Sequence, residues 1–215
     1  MWMICQFRLT NHFLSRFKSG LRLETSAAGI ERVTIRVGII NSGAGNVGSL
    51  VGAFSRIGAE VSLVGSPSDL AGVDRIVLPG VGSFRKAMER LELSGLREAV
   101  QGFHAAGGPI LGICLGMQLM AASGLEGGAF LGLGLVGGQA VPVVRAPPTR
   151  LPHVGWNSIE IISPHPVLRG IPSGMDFYFA HSFEVSGFGD SEAVATTEYD
   201  GVILAAVHHG SALGV

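Results

Sequence analysis

The sequence predicts an α/β fold: a doubly wound, mostly parallel sheet with helices on both faces and additional antiparallel strands in the C-terminal half. Short apolar runs alternate with segments of helical period from Thr34 onward, as in βαβ units. These runs are continuously apolar, which is typical of parallel strands buried on both sides. After Gly138, strand-like runs follow one another with few helices between them.

The first half of the pattern predicts strands and helices in alternation. The predicted strands cover residues 35–40, 60–64, 75–78 and 109–113. Helices are predicted at 46–57, 84–106 and 115–123, where apolar residues recur with a period near 3.6. Gly95 lies inside the second helix, and we expect it to divide that helix in two.

The second half predicts five further strands, some of them antiparallel, that extend or flank the parallel sheet. They cover residues 141–144, 156–162, 177–183, 193–197 and 203–208. We find no internal repeat and no linker, so residues 34–215 are predicted to form one domain. Residues 1–33 lack a periodic pattern and faintly resemble a transit peptide. We interpret them as an extension that is disordered or precedes a mis-called start.

Charge and composition exclude two classes of partner. Residues 1–36 carry six basic and two acidic residues, whereas the remainder carries nine basic and fourteen acidic ones. The acidic folded part argues against nucleic acid. The hydrophobic content is 47%, but the most apolar region, residues 109–144, is interrupted by polar residues and glycines, so no membrane span is predicted. Two cysteines form no disulfide framework, which favours a reducing, cytoplasmic setting.

The stretch Gly112-Ile113-Cys114-Leu115-Gly116 places a cysteine between two glycines, after an apolar run and before a helix. A strand, a tight turn and a helix in this order form a nucleophile elbow, with the reactive atom at its apex. We expect a strained backbone at Cys114 and a thiolate favoured by the helix N-terminus. A lone cysteine is more often buried and inert, but the glycines favour a nucleophile here.

A second glycine-rich turn offers a competing hypothesis. The GAGNVG sequence at 43–48 follows the first strand and opens a helix, as in a dinucleotide-binding fingerprint. That fingerprint needs an acidic residue at the end of the second strand. Glu60 lies at the start of that strand instead, so an oxidoreductase with a dinucleotide cofactor is the less favoured interpretation.

The loop Pro79-Gly80-Val81-Gly82 follows the third strand, which could neighbour the strand before Cys114. Acyl transfer needs two donors aimed at the developing oxyanion. The backbone amides of Leu115 and Val81 are the candidates, although by itself the loop is more typical of an ordinary turn.

Five motifs occur in one order: NSGAGN at 41–46, PGVGSF at 79–84, GICLGMQ at 112–118, HVGWN at 153–157 and YFAHS at 178–182. Together they resemble the class I glutamine amidotransferase family over about residues 35–215. PGVGSF and HVGWN are similar to the glutaminase subunits of imidazole glycerol phosphate synthase rather than to the anthranilate, GMP or carbamoyl phosphate branches.

This resemblance implies hydrolysis of glutamine through a thioester on Cys114, with ammonia passed to a cyclase subunit for histidine synthesis. It implies no cofactor and no metal. Glutamine would be held by groups from three segments, and the glycine-rich turn at 43–48 would face the cyclase. The substrate residues would be Gly80, Gly82, Gln118, Ser182 and Phe183, and the interface residues Gly43, Gly45 and Asn46.

A cysteine nucleophile also needs a base. In this family the base is the histidine of a segment resembling Gln-Phe-His-Pro-Glu, which follows a Gly-Val pair. The printed sequence ends on Gly214-Val215. We therefore expect the domain to be incomplete at its C-terminus, with the histidine three residues further on.

Other histidines could replace this base, namely His104, His153, His181, His208 and His209. His181 is the first to consider because the family places its segment beside the substrate. His208 and His209 alternate along a predicted strand, so at most one can face the site. Three hypotheses remain: a glutaminase, a scaffold that binds glutamine and the cyclase without turnover, and the less favoured oxidoreductase.

Overall fold

The computed structural model describes residues 34–41, 43, 46–189 and 192–215, together with the backbone of 25–26 and 29–30. Cys5 and Gly45 lie outside the described residues, as does most of the 1–33 extension, so the boundary at residue 34 stays a prediction. In the described part the helices are α1 Val47–Arg56, α2 Phe84–Leu93, α3 Leu96–Ala105 and α4 Leu115–Met120, with 3₁₀ turns at Pro67–Leu70 and Pro166–Leu168.

The strands of the described part are β1 Thr25–Ser26, β2 Gly29–Ile30, β3 Arg36–Ile40, β4 Glu60–Val64, β5 Arg75–Gly80, β6 Ile110–Cys114, β7 Ser123–Gly124, β8 Phe130–Leu131, β9 Gln139–Pro142, β10 His153–Ile161, β11 Asp176–His181, β12 Phe183–Ser186, β13 Ala193–Glu198, β14 Val202–His209 and β15 Ala212–Gly214. Strands β1 and β2 pair with each other in a separate two-stranded sheet.

The main sheet has the order β11-β10-β13-β14-β15-β6-β5-β3-β4. The five strands from β15 to β4 are parallel, and the four on the other side are antiparallel. The predicted fold class is therefore confirmed, including the antiparallel strands that extend the sheet.

Both faces of the parallel half are covered by helices. Alternate residues of a strand point to opposite faces, so Ile76 and Leu78 of β5 pack in the cluster that includes α2 and α3 residues. Val77 of the same strand packs with Leu50 and Phe54 of α1. This two-sided burial is the reason that the parallel strands read as continuous apolar runs. Within the described part, every helix is too short or too polar to cross a membrane.

Three predicted elements are divided or shortened in the structure. The predicted helix 84–106 divides at Gly95, as expected, because this residue has φ 71°. The predicted helix 115–123 ends early, at Met120, because Ser123–Gly124 joins a second sheet of order β12-β9-β7-β8. The predicted strand 177–183 is two strands: β11 belongs to the main sheet and β12 to the second, with the change of sheet at Ser182.

Candidate active site

Cys114 ends β6, and α4 begins at the next residue. Its backbone has φ 55° and ψ −113°, a conformation that residues with a side chain rarely adopt. The surrounding backbone holds it there: Cys114 N donates to Val215 O at 2.8 Å, and Val215 N donates to Gly112 O at 2.9 Å. The elbow and its strain are thus present as predicted.

The two glycines of the elbow are required by close packing. A Cβ on Gly116 would collide with the carbonyl oxygen of Leu78 in β5. A Cβ on Gly112 would collide with Met120 Sδ and would stand 2.9 Å from the carbonyl oxygen of Gly116. The helix can therefore lie directly against the sheet only because neither residue has a side chain.

The Pro79–Gly82 loop lies beside the elbow. Strands β5 and β6 are parallel neighbours, and their register sets Gly80 opposite Cys114. The predicted adjacency of the two strands is confirmed. Val81 follows at the strand end with 40% of its surface exposed, and Gly82 has φ 99°.

A cavity of about 170 Å³ opens at Cys114. Of the predicted site residues, Cys114, Gln118 and Phe183 line it, together with His181 and a largely apolar wall. The other predicted residues of the catalytic and substrate group are not among its lining residues. These are Gly80, Val81, Gly82, Leu115 and Ser182.

The predicted interface residues lie at the start of α1. Gly43 and Asn46 are both exposed, and Gly45 is outside the described residues. The side chain of Asn46 caps the helix, since its Oδ1 accepts from Ser49 N at 3.2 Å. Capping by asparagine satisfies a backbone donor of the first turn.

The expected thiolate is not supported. Burial raises the pKa of the Cys114 thiol, and the hydrogen bond from the backbone N–H of Leu115 lowers it only in part. The prediction counted the helix N-terminus but not the desolvation of the sulfur, which disfavours the charged form. At neutral pH Cys114 is therefore protonated, and a base has to take its proton.

A histidine pair lies at the edge of the cavity. Strands β10 and β11 run antiparallel, and their register sets His153 opposite His181. His181 Nε2 lies 2.9 Å from His153 Nδ1, and His181 Nδ1 lies 2.9 Å from the carbonyl oxygen of Phe183. Gln118 Nε2 donates to the same oxygen at 3.3 Å. Two cavity-lining side chains thus hold one backbone carbonyl.

The direction of each proton follows from that carbonyl. A carbonyl oxygen only accepts, so His181 Nδ1 carries the proton and donates it. The acceptor of a neutral His181 is then Nε2, to which His153 Nδ1 donates. His153 Nε2 is left to accept from Asn157 Nδ2 at 3.3 Å. Burial is the main cause that lowers the pKa of both rings, that of His153 to about 4, so both are neutral at pH 7.

This arrangement makes His181 a poor base for Cys114, because both of its ring nitrogens are already engaged. Both histidines are candidates in the sequence, but no local pattern indicates their contact, since they are 28 residues apart. Only the β10–β11 register brings them together.

The remaining candidate histidines do not line the cavity. His209 Nδ1 lies 2.8 Å from a carboxylate oxygen of Glu192. His208 packs its ring against that of His165, with centroids 4.2 Å apart. His104 Nδ1 lies 2.9 Å from Ser211 Oγ.

The dinucleotide alternative gains no support from the described residues. Glu60 pairs in register with Arg36 at the start of β4, and Val64 ends that strand. The carboxylate therefore lies at the end of the sheet opposite to the one where a ribose would bind.

The glutamine amidotransferase class-I family model matches residues 38–215. The chain belongs to this family. More particularly, it is 41% identical over 180 residues to the imidazole glycerol phosphate synthase subunit HisH of Symbiobacterium thermophilum, with 84% of each chain covered. It is 38% identical over 192 residues to the HisH subunit of Agrobacterium fabrum, covering 84% of this chain and 89% of the relative.

Solved structures agree on the fold. A structure described as a glutamine amidotransferase has a TM-score of 0.65 at 18% identity and covers 83% of this chain and 87% of its own. A glutamine amidotransferase from Thermotoga maritima has a TM-score of 0.62 at 17% identity, covering 86% of this chain and 75% of its own. At these identities the likeness concerns the fold alone.

Proposed function

We propose that this chain is the glutaminase subunit of imidazole glycerol phosphate synthase, which hydrolyses glutamine to glutamate and ammonia for a cyclase partner. The observation that carries the proposal is the strained Cys114, which lines one cavity with Gln118 and Phe183. HisH relatives support the assignment to this branch of the family.

In the proposed reaction the sulfur of Cys114 attacks the side-chain amide carbon of glutamine, and the carbonyl oxygen becomes an oxyanion. The backbone N–H groups of Leu115 and Val81 would donate to that oxyanion. Leu115 follows Cys114 at the end of β6, and Val81 follows Gly80, which lies opposite Cys114 at the end of β5. Collapse expels ammonia after the nitrogen has gained a proton. Water then attacks the thioester carbon and releases glutamate and the thiol.

Glutamine binding would use groups around the cavity. Gln118 lies one turn along α4 from the nucleophile, and its amide already donates to the Phe183 carbonyl. The backbone of Ser182 and Phe183, where the chain passes from one sheet to the other, would hold the amino-acid end. Gly80 and Gly82 would let the loop approach the substrate closely.

The cyclase subunit would dock at Gly43, Gly45 and Asn46; of these, Gly43 and Asn46 are exposed close to the start of α1. The two HisH relatives support a subunit role, because each is named as one subunit of the synthase. A reducing, cytoplasmic setting is part of this proposal, since a disulfide on Cys114 would block the thioester.

Proton transfer is the part of the mechanism that the described cavity supplies least well. His181 is the histidine among its lining residues, and it is committed to Phe183 and His153. Val215 also lines the cavity, and its carbonyl oxygen accepts from Cys114 N. Residues attached after Val215 would therefore begin beside the nucleophile.

The test compares glutamate release by three chains, each mixed with a cyclase subunit. One is the 215-residue chain, the second continues it with Gln-Phe-His-Pro-Glu and the C-terminal residues of a HisH relative, and the third carries Ala for that His. We expect near-background release by the first and third chains. The second should be about 10²–10⁴-fold faster, because general acid–base catalysis is typically worth that factor.

Two outcomes would contradict parts of this account, the first the thioester on Cys114 and the second the need for an added base. If the second chain keeps its rate after Cys114→Ala, the thioester is wrong. If the 215-residue chain already matches the second chain, a described residue is the base, and His181→Ala is the next variant to make.

A further inference from the structure

We propose that His153 is a positioning residue for glutamine binding: through His181 it holds the Phe183 carbonyl in the orientation that the cavity requires. This inference rests on the proposed function, because it takes glutamine as the occupant of the cavity. His153 itself does not line the cavity, so it acts through its neighbour.

The first argument is the continuity of the hydrogen bonds. They run from Asn157 to His153, from His153 to His181, and from His181 to the Phe183 carbonyl. The far end is anchored as well, since Asn157 Nδ2 also donates to the carbonyl oxygen of Glu198 at 2.7 Å. Each ring thus has one defined tautomer, and every hydrogen bond in the series donates towards the Phe183 carbonyl.

The second argument is the fixed position of the His153 ring. It is 2% exposed and stacks against Tyr199 at 3.9 Å and against Phe179 at 4.8 Å between centroids. A ring packed against these two aromatic rings presents Nδ1 to His181 in one fixed position.

The third argument is the location of the held carbonyl. The chain leaves the main sheet after His181 and enters the second sheet at Phe183, so only Ser182 joins the two. The carbonyl of Ser182 accepts from Val143 N at 2.9 Å. The next carbonyl, that of Phe183, accepts from the side chains of His181 and Gln118, so these two donors restrain the backbone where the chain enters the second sheet.

Charged groups also surround the pair. Burial is the largest cause that lowers the pKa of both rings; the charge of Arg145 lowers both further, after that of His181 in the case of His153, while the hydrogen bond to Phe183 raises the pKa of His181 in part. The guanidinium of Arg145 is 3.7 Å from the Glu184 carboxylate and donates to the carbonyl oxygen of Tyr199 at 2.7 Å. Protonation of His153 or His181 beside the charged Arg145 is therefore unfavourable, so both rings stay neutral.

The experiment measures glutamine protection of Cys114 against iodoacetamide, with the modified residue identified by mass spectrometry. The dependence of protection on glutamine concentration gives the dissociation constant for glutamine. The alkylation rate without glutamine reports the reactivity and the accessibility of the Cys114 thiol. His153→Asn places an amide donor near the position of Nδ1 and can still reach His181. His153→Gln places its amide near Nε2 and can reach only Asn157.

We expect His153→Gln to weaken glutamine protection about 3–10-fold, the usual effect of one lost hydrogen bond. His153→Asn should stay within about twofold of the unsubstituted chain. His153→Phe keeps the stacking and should behave like His153→Gln. The control is His104→Phe, which removes a histidine hydrogen bond to Ser211 away from the cavity lining.

The outcomes separate the inference from the proposed function. If glutamine does not protect the unsubstituted chain, the proposed function fails. If it does protect, and the Asn and Gln variants lose protection equally or not at all, the positioning role of His153 is wrong. The positioning role would also be wrong if a change in the alkylation rate of Cys114 without glutamine accounted for the whole loss of protection. The substitution would then have altered the Cys114 thiol rather than the Phe183 carbonyl.

Discussion

The carbonyl oxygen of Leu78 occupies the space where a Cβ on Gly116 would stand. Leu78 belongs to β5, the strand beside the one that ends at Cys114, and Gly116 belongs to the helix that follows Cys114. Their contact sets how closely α4 approaches the sheet, and thereby where Cys114 is held.

Gly116→Ala should therefore destabilise the fold. The clash is with backbone, which moves only if the helix or the strand shifts, so we expect a loss of about 1–3 kcal/mol in the free energy of unfolding. Gly102→Ala is the matched control: it lies in α3, its Cβ would meet no atom within 4 Å, and alanine should stabilise that helix by up to about 1 kcal/mol. Urea denaturation measures both, and a neutral Gly116→Ala would contradict the packing argument.

The thiol of Cys114 should behave as a buried, protonated group. Because burial raises its pKa above the ordinary value of 9.0, the alkylation rate should rise almost tenfold per pH unit from pH 7 to 8.5 without a plateau. Iodoacetamide kinetics in the folded chain measure this, and Cys114→Ser identifies the signal. A plateau reached by pH 8 would mean that the site stabilises a thiolate after all.

The stability of the fold should fall in mild acid partly because of His153. The pKa of this residue is about 4 in the folded chain and near 6.5 when it is unfolded. Between these values the unfolded chain binds a proton that the folded chain does not, so the free energy of unfolding decreases as pH falls from about 6.5 towards 4.

His153→Asn removes that proton-binding group and should reduce the loss of stability between pH 7 and pH 5. The other histidines with lowered pKa keep part of the loss in the variant. Denaturant midpoints at the two pH values measure the difference. An unchanged loss would show that His153 is not a buried neutral group.

A chain that begins at Thr34 should match the full chain in thermal midpoint within about two degrees. Among the described residues the buried core begins at Ile35, and β1 and β2 pair only with each other. If residues 1–33 bury no part of the core, as the sequence predicts, removing them leaves the core intact. A chain that begins at Gly38 is the comparison, since it also loses Ile35 and Val37 and should melt much lower.

A fall of more than about five degrees in the Thr34 chain would contradict this prediction. It would mean that residues 1–33 cover part of the folded surface.

The elbow and its neighbouring loop could be predicted because their signals are local. A tight strand–helix turn needs glycines two residues before and after the nucleophile, and these are visible in the sequence. The adjacency of β5 and β6 follows from the parallel pattern, and the register confirms it at Gly80 and Cys114. The break at Gly95 is equally local, since a positive φ favours glycine.

The change of sheet at Ser182 could not be predicted from the apolar run 177–183. Residues in β11 and β12 have the same strand propensity, and only their partners, β10 for one and β9 for the other, assign them to different sheets. The early end of α4 has the same origin, because β7 pairs with β9 instead of continuing the helix.

The sequence by itself determined the fold class, the strand–turn–helix elbow at Cys114 and the family, because each depends on short-range patterns or on ordered motifs. Only the tertiary structure decided that desolvation raises the pKa of Cys114 and that His153 meets His181. Charge on a buried thiol depends on the desolvation produced by all the elements packed around it. The contact of two histidines 28 residues apart depends on the register of two antiparallel strands, which no local pattern contains.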